Sequence, residues 1–211
     1  MAFRKMEETF KKISDLYSDN LARHGEESKA VGWPTLDSQI LRFEKLSQVI
    51  PCSATPVSVN DYGCGYGAHL SYLLENRYAI SHYNGYDLSE EMLAKSKERL
   101  KDFEGHLNLL NSSEISTPAD FTFVSGTFNV RFDASVDEWM AFIENSLSRI
   151  NEFSECGFSF NLLSKYVDWE EPHLFYGDPC YWFDYCKRKF SRKVSLLHDY
   201  PLFEWTILVK K

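Results

Sequence analysis

Long apolar runs are absent from this sequence of 211 residues. None approaches the roughly 20 consecutive apolar residues that a membrane-spanning helix requires, so we expect no membrane contact. The N-terminus reads Met-Ala-Phe-Arg-Lys-Met-Glu-Glu, which is charged where a secretory signal peptide turns apolar. Both absences predict a cytoplasmic protein.

Cysteine pairs are missing as well. The sequence has five cysteines, an odd number, and no Cys-x-x-Cys spacing. Zinc sites and the disulfide frameworks of small secreted proteins depend on such pairs. We therefore expect neither a metal nor a disulfide framework.

Positive charge is in short supply. The chain has 23 basic and 31 acidic residues, a net charge of −8. A surface of this sign repels a phosphate backbone, so nucleic acid is not an expected partner, although the basic run 187–189 leaves a local contact open. The remaining composition, 44% hydrophobic and 26% charged, is typical of a soluble globular protein, and the length predicts one domain over residues 1–211.

Glycine is concentrated in a predicted nucleotide-binding turn. A run of strand formers ends near Asp61, and leucines at helical spacing begin at Leu70. Between them lie Gly63, Gly65 and Gly67. Such a turn presents bare backbone N–H groups and the positive end of a helix to a ligand. We expect Asp61 to accept a hydrogen bond from a cationic amino group of that ligand.

The pattern Asp-x-Gly-Cys-Gly-x-Gly resembles the first motif of class I S-adenosylmethionine (SAM)-dependent methyltransferases. The looser dinucleotide fingerprint, Gly-x-Gly-x-x-Ala, fits the same residues, so the turn alone leaves a NAD-binding protein open. The resemblance implies that the turn residues Asp61, Gly63, Cys64, Gly65 and Gly67 bind the cofactor, SAM.

A second acidic strand end favours the methyltransferase interpretation. Asp87 lies 22 residues after Gly65, where a carboxylate can take both hydroxyls of a ribose. The run Gly-Tyr-Asp-Leu-Ser-x-x-Met, which ends at Met92, resembles the second methyltransferase motif. It implies that Asp87, Leu88 and Met92 contact the cofactor.

The order of the predicted helices and strands indicates an α/β fold. Two helices, about 2–21 and 36–50, form an N-terminal helical cap over residues 1–51. Strands and helices then alternate over a core at 57–211, which is typical of a doubly wound parallel sheet. The last two strands are too close for a parallel crossover and predict an antiparallel hairpin. This seven-stranded, mostly parallel sheet with an antiparallel last strand resembles the Rossmann-like methyltransferase fold.

The ends of the third and fourth strands supply further expected cofactor contacts. The resemblance implies that Asn111 and Ser112 lie near the adenine and that Ser125 and Gly126 face the transferring methyl. Many class I methyltransferases carry an acid or Asn-Pro-Pro-Tyr after the fourth strand, and this chain has Ser-Gly-Thr-Phe-Asn. The departure leaves the acceptor atom open.

In the helical cap, Trp33 and Arg42 are expected to cover the methionine end of the cofactor. The alternative is that Trp33 plugs the core and Arg42 makes a surface ion pair.

An oxygen or carbon acceptor would also need a base, for which His198, His24 and Tyr17 are the candidates. A lone histidine is more often a hydrogen-bonded structural group.

The predicted function is methyl transfer from SAM to a small-molecule acceptor. An aromatic loop at residues 166–176 is expected to cover the acceptor, since it is long and follows a strand end. Two alternatives remain: a non-catalytic SAM-binding regulatory or partner subunit, and an NAD-binding Rossmann protein. The sequence does not indicate the oligomeric state.

Overall fold

The computed structural model describes residues 2–51 and 54–211, with side chains from residue 6 onward; Cys52 lies outside this range. The helices are α1 (Ala2–His24), α2 (Leu36–Ser47), α3 (Ala68–Glu75), α4 (Glu90–Arg99), α5 (Val136–Phe153) and α6 (Pro179–Lys189). The strands are β1 (Val57–Tyr62), β2 (Ile80–Asp87), β3 (His106–Asn111), β4 (Ala119–Val124), β5 (Ser154–Ser164), β6 (Tyr176–Gly177), β7 (Lys193–Leu197) and β8 (Glu204–Lys210). A short 3-10 helix, Ser28–Val31, follows α1.

The strands form one sheet in the order β3-β2-β1-β4-β5-β8-β7, with β6 beside the end of β5. β8 is antiparallel to both β5 and β7, and the other strand pairs are parallel. The predicted doubly wound sheet with an antiparallel last strand is therefore confirmed. The additional strand, β6, arises inside the aromatic loop, where Tyr176 pairs with Leu163.

Apolar side chains close both faces of the sheet. Leu46 of α2 and Leu70 of α3 pack in one buried cluster. Trp139 of α5 and Trp182 of α6 pack in the other. Each of these helices has its apolar residues on the face that packs against the sheet, which is the amphipathic pattern that the sequence displays.

The connection from β3 to β4, residues 112–118, contains no helix. It lies against the sheet because tyrosines fasten it: Tyr62 Oη donates to the Ser113 carbonyl at 2.7 Å, and Tyr86 Oη accepts from the Thr117 N–H at 3.1 Å. A parallel crossover usually carries a helix. A groove lies between α1 and α5 at this place, and the helix-free connection forms its floor.

α1 covers the carboxyl edge of the sheet. Ser14 Oγ donates to the Leu88 carbonyl at 3.1 Å, and Phe10 meets Phe142 of α5 edge-on with 5.1 Å between ring centroids. The helix is thus fastened both to the end of β2 and to α5. Within the described part of the chain, no helix is both long and apolar enough to cross a membrane.

Candidate cofactor site

A cavity opens where the glycine turn, the end of β2 and the segment after β4 meet, beneath α1. In a doubly wound sheet, ligands bind outside the carboxyl ends of the strands, where strand order reverses. Here the order reverses between β1 and β4. The fold therefore places this cavity where the sequence predicts the cofactor.

The glycine turn gives the cavity a wall of bare backbone. Gly63 has φ +83° and Gly65 φ +53°, both in the left-handed region that favours glycine. A Cβ on Gly63 would lie 2.2 Å from Thr127 Oγ1, so the turn has no room for a side chain there. Gly63 and Gly65 line the cavity, as expected.

Gly67 and Cys64 lie behind this wall. Gly67 is the N-cap of α3, and a Cβ there would meet Ser96 Oγ at 2.7 Å, so it serves packing between helices. Cys64 is buried, and burial raises the pKa of its thiol well above the usual range. Neither residue lines the main cavity, but Cys64 lines the adjoining cleft together with Asp61 and Ser125.

Asp87 lies at the cavity with both carboxylate oxygens anchored. Oδ2 accepts from the Gly65 N–H at 2.8 Å and Oδ1 accepts from the Ser89 N–H at 2.9 Å. Burial raises the pKa of Asp87, whereas these backbone donors lower it. Because a carboxylate oxygen has more than one acceptor site, both oxygens retain capacity for ribose hydroxyls.

Asp61 has one oxygen without a partner. Its Oδ2 accepts from Tyr83 Oη at 2.7 Å, whereas Oδ1 is buried and unpartnered, as is Ser125 Oγ nearby in the same cleft. Burial raises the pKa of Asp61 to about 7, Tyr83 lowers it, and the charge of Asp87 raises it further. A buried acceptor without a donor is costly. The ammonium group of SAM fits this acceptor.

The remaining wall at this end comes from the second motif and the end of β3. Leu88, Met92 and Ser112 line the cavity, as expected. Asn111 is exposed and does not; its Nδ2 donates to the carbonyls of Asp87 and Leu88 at 3.2 and 2.9 Å. Asn111 therefore supports the backbone at Asp87 and Leu88 from outside the cavity.

Trp33 and Arg42 lie in different places relative to the cavity. Trp33 lines the cavity beside Ser125 and Gly126. Arg42 does not reach it, because its Nε is paired with Glu204 Oε2 at 2.7 Å inside the protein. The ion pair is real but buried, so the alternative of a surface pair is wrong too.

The three candidate bases lie in different parts of the structure. Tyr17 lines the cavity, and burial, with a further contribution from the charge of Asp87, raises its pKa to about 12. Tyr17 therefore carries its proton at neutral pH and can donate a hydrogen bond into the cavity. His24 and His198 are exposed and lie outside the cavity, which contradicts the expectation. His198 instead lies against Tyr166, 5.9 Å between ring centroids.

The aromatic loop does not cover the cavity. Tyr166 and Trp169 are 60% and 68% exposed, and no residue of 166–176 lines it. The loop is held elsewhere, since the Phe175 N–H donates to the Asn129 carbonyl at 2.8 Å. The loop 166–176, which we expected to act as a lid, therefore lies away from the cavity.

α1 provides the cover instead, through Phe10, Ile13, Ser14 and Tyr17. Sequence reasoning found the apolar face of α1 but not its docking position. It also missed Thr127, which lies in the segment after β4 and donates from Oγ1 to the Tyr62 carbonyl at 2.7 Å. Within residues 2–51 and 54–211, no cluster of three potential metal-binding side chains occurs.

Comparison with known proteins agrees with this geometry. Residues 60–151 match the family model described as a methyltransferase domain. Rv1506c of Mycobacterium tuberculosis, named as a methyltransferase, is 46% identical over 163 residues, which cover 75% of this chain and 96% of the relative.

Solved structures show the same fold. DhpI in complex with S-adenosylhomocysteine (SAH) superposes with a TM-score of 0.63 at 15% identity, covering 92% of this chain and 94% of DhpI. Magnesium protoporphyrin IX methyltransferase from Synechocystis PCC 6803, with bound SAM, gives 0.56 at 13% identity, covering 83% and 77%.

Fold and site together define a class I SAM-dependent methyltransferase with SAM as its cofactor. The chain belongs to the methyltransferase family that the matching domain and the mycobacterial relative represent. The NAD alternative has no support, because the inserted antiparallel β8 is the methyltransferase arrangement.

Proposed function

We propose that this methyltransferase acts on a small-molecule acceptor that enters through the groove between α1 and α5. The supporting observation is adjacency: Phe10, Tyr62, Ser113 and Phe142 line both the cofactor cavity and the groove. An acceptor in the groove would thus lie next to the cofactor, with only these shared side chains at the boundary.

The groove favours an acceptor with an apolar body. Its walls include Ile115 of the β3–β4 connection and Ala141 and Ile150 of α5, with Glu114 and Arg149 supplying charge. Arg149 is partly engaged, since its Nε donates to the Ile115 carbonyl at 3.2 Å. A ring system or chain with one polar end matches this distribution. The similar structure named for magnesium protoporphyrin IX is itself a methyltransferase of such a molecule.

The roles of the residues follow from the chemistry. SAM supplies an activated methyl group, so the protein mainly binds and orients the reactants. Asp61 would take the ammonium, and Asp87 the ribose hydroxyls. Tyr17 and Phe10 would exclude water from above. Because no histidine of the described chain lines the main cavity or the groove, we assign no histidine as a general base.

Transfer from methyl-labelled SAM tests the proposal. The purified protein is incubated with the low-molecular-mass fraction and, separately, the macromolecular fraction of a cell extract. We expect label to appear in a small molecule. Label that appears only in protein or nucleic acid would contradict a small-molecule acceptor.

A pair of variants tests the groove. Ala141→Trp fills it from an exposed position on α5, and Ala94→Trp places the same side chain on exposed α4, away from cavity and groove. We expect Ala141→Trp to abolish transfer with SAH affinity unchanged and Ala94→Trp to retain both. If Ala141→Trp weakens SAH binding instead, the groove belongs to the cofactor and the assignment is wrong.

A further inference from the structure

Arg42 and Glu204 form a buried ion pair close to the cofactor cavity. Their side chains are 6% and 0% exposed, with Nε and Oε2 2.7 Å apart. Burial raises the pKa of Glu204, and Arg42 followed by Asn161 lowers it. Because removing two charges from water offsets most of their attraction, such a pair is a poor source of net stability. Its position in the fold indicates another role.

One connection leads from Glu204 to Gly126 through a side-chain amide. Asn161 lies on β5, beside β8, and lowers the pKa of the nearby Glu204 carboxyl, whereas Asn161 Nδ2 and Glu204 Oε1 are both buried without a hydrogen-bond partner. Asn161 Oδ1 accepts from the Gly126 N–H at 2.7 Å. Gly126 is thus hydrogen-bonded to Asn161, whose amide lies near the buried pair.

A second connection leads to the same glycine through rings. The Arg42 guanidinium stacks 3.6 Å from the centroid of Trp33. Trp33 also packs on Gly126 so closely that a Cβ there would lie 2.4 Å from Cζ2 of the ring. Gly126, with φ +71°, is therefore held by Asn161 and by Trp33, and Arg42 joins Trp33 to Glu204.

These contacts matter because Trp33 and Gly126 both line the cofactor cavity. The neighbouring Thr127 continues the wall to the glycine turn. The cavity is not lined by Arg42, Asn161 or Glu204 themselves. Their influence on a ligand would pass through Trp33 and Gly126.

We propose that Arg42, Asn161 and Glu204 are positioning residues that hold Trp33 and the segment 125–127 as the wall of the SAM site. The buried pair sets the stacking plane of Trp33, and Asn161 sets the direction of the Gly126 N–H. At metal sites, outer contacts that orient the binding groups change affinity by a factor of about 10 to 100, and we expect an effect toward the lower end of that range here.

The test compares Glu204→Gln with Thr206→Val. Glu204→Gln removes the charge and keeps the shape. Thr206 lies on the same strand, is equally buried and hydrogen bonds to Tyr200 Oη at 2.9 Å, away from the cavity. We expect Glu204→Gln to weaken SAH binding by about tenfold in the folded protein. Thr206→Val should lower the melting temperature alone.

Glycine-selective 15N labelling gives a readout that a purely structural role would not move. The chain has ten glycines, so the spectrum is small. In Glu204→Gln the Gly126 amide resonance should shift and that of Gly105 should not. In Thr206→Val both should stay in place.

If Glu204→Gln fails to fold, Arg42→Lys takes its place, because it keeps the charge but loses the planar stack on Trp33. The same loss of SAH affinity and the same Gly126 shift are expected. Unchanged SAH affinity with an unmoved Gly126 resonance, in whichever variant folds, would overturn the proposal.

Discussion

Asp61 is buried with one carboxylate oxygen bound to Tyr83 and the other unpartnered. This arrangement explains why its pKa is raised to about 7 by burial. A carboxylate that is half-protonated near neutrality becomes fully charged when a cation arrives. If Asp61 takes the ammonium of the cofactor, as we propose, its titration should couple cofactor binding to pH.

Cofactor affinity should therefore fall as the pH decreases through 7. Below that pH Asp61 is protonated in the free protein, and binding the ammonium of SAH must release the proton. We expect affinity measured by calorimetry to weaken about tenfold between pH 8 and pH 6. Asp61→Asn should bind weakly at both values; an unaltered pH dependence in that variant would assign the effect to another group.

Asp87→Ala should weaken SAH binding by about 2–4 kcal/mol, because the ribose loses charge-assisted hydrogen bonds. The melting temperature should fall too, since Gly65 and Ser89 lose their acceptor. Asp87→Asn can still accept from one of these N–H groups and serves as the milder control. A fall in melting temperature without loss of affinity in the folded fraction would make Asp87 structural.

His69 is a buried imidazole whose pKa burial lowers to about 3. Nε2 lies 3.1 Å from Ser47 Oγ, and the ring stacks on Phe43. The unfolded chain therefore binds a proton here between about pH 6.5 and 3, and the stability from this group is lost as the pH falls through that window. Asp61 has the opposite effect, since its folded pKa is raised.

The difference between wild type and His69→Gln isolates this contribution. Going from pH 7.5 to pH 5, the stability advantage of the wild type over the variant should shrink by about 2 kcal/mol in urea unfolding experiments. An advantage that does not change with pH would show that His69 titrates normally in the folded protein.

At the scale of elements, α1 covers the site and the aromatic loop does not. The sequence pattern predicts that α1 is amphipathic, but its docking depends on contacts with β2 and α5 that are distant in the chain, such as Phe10 with Phe142. The loop at 166–176 looked like a lid because it is long and aromatic. Pairing of Tyr176 with β5 directs it away from the cavity.

Hydrogen exchange with and without SAH should separate these two elements. Amides of α1 should gain protection on SAH binding, because the helix closes over the ligand. Amides of 166–176 should be unaffected. The reverse result, a protected loop and an unchanged α1, would restore the aromatic loop as the lid.

At the scale of the molecule, features with a local sequence signal could be predicted, and features that depend on packing between distant segments could not. The glycine turn, Asp87 and the terminal hairpin carry local signals, so the cofactor site and the antiparallel β8 were predictable. Arg42, His24 and His198 carry no local signal of where they lie, because that depends on the packing of helices and strand ends far apart in sequence. The helix-free β3–β4 connection, which opens the groove, could be recognised only in the folded chain.

A crystal structure with SAH bound tests the central claim most directly. The account predicts the ammonium at Asp61, the ribose on Asp87 and the sulfur facing the groove between α1 and α5. A sulfur sealed by apolar packing, or an SAH molecule bound outside this cavity, would contradict it.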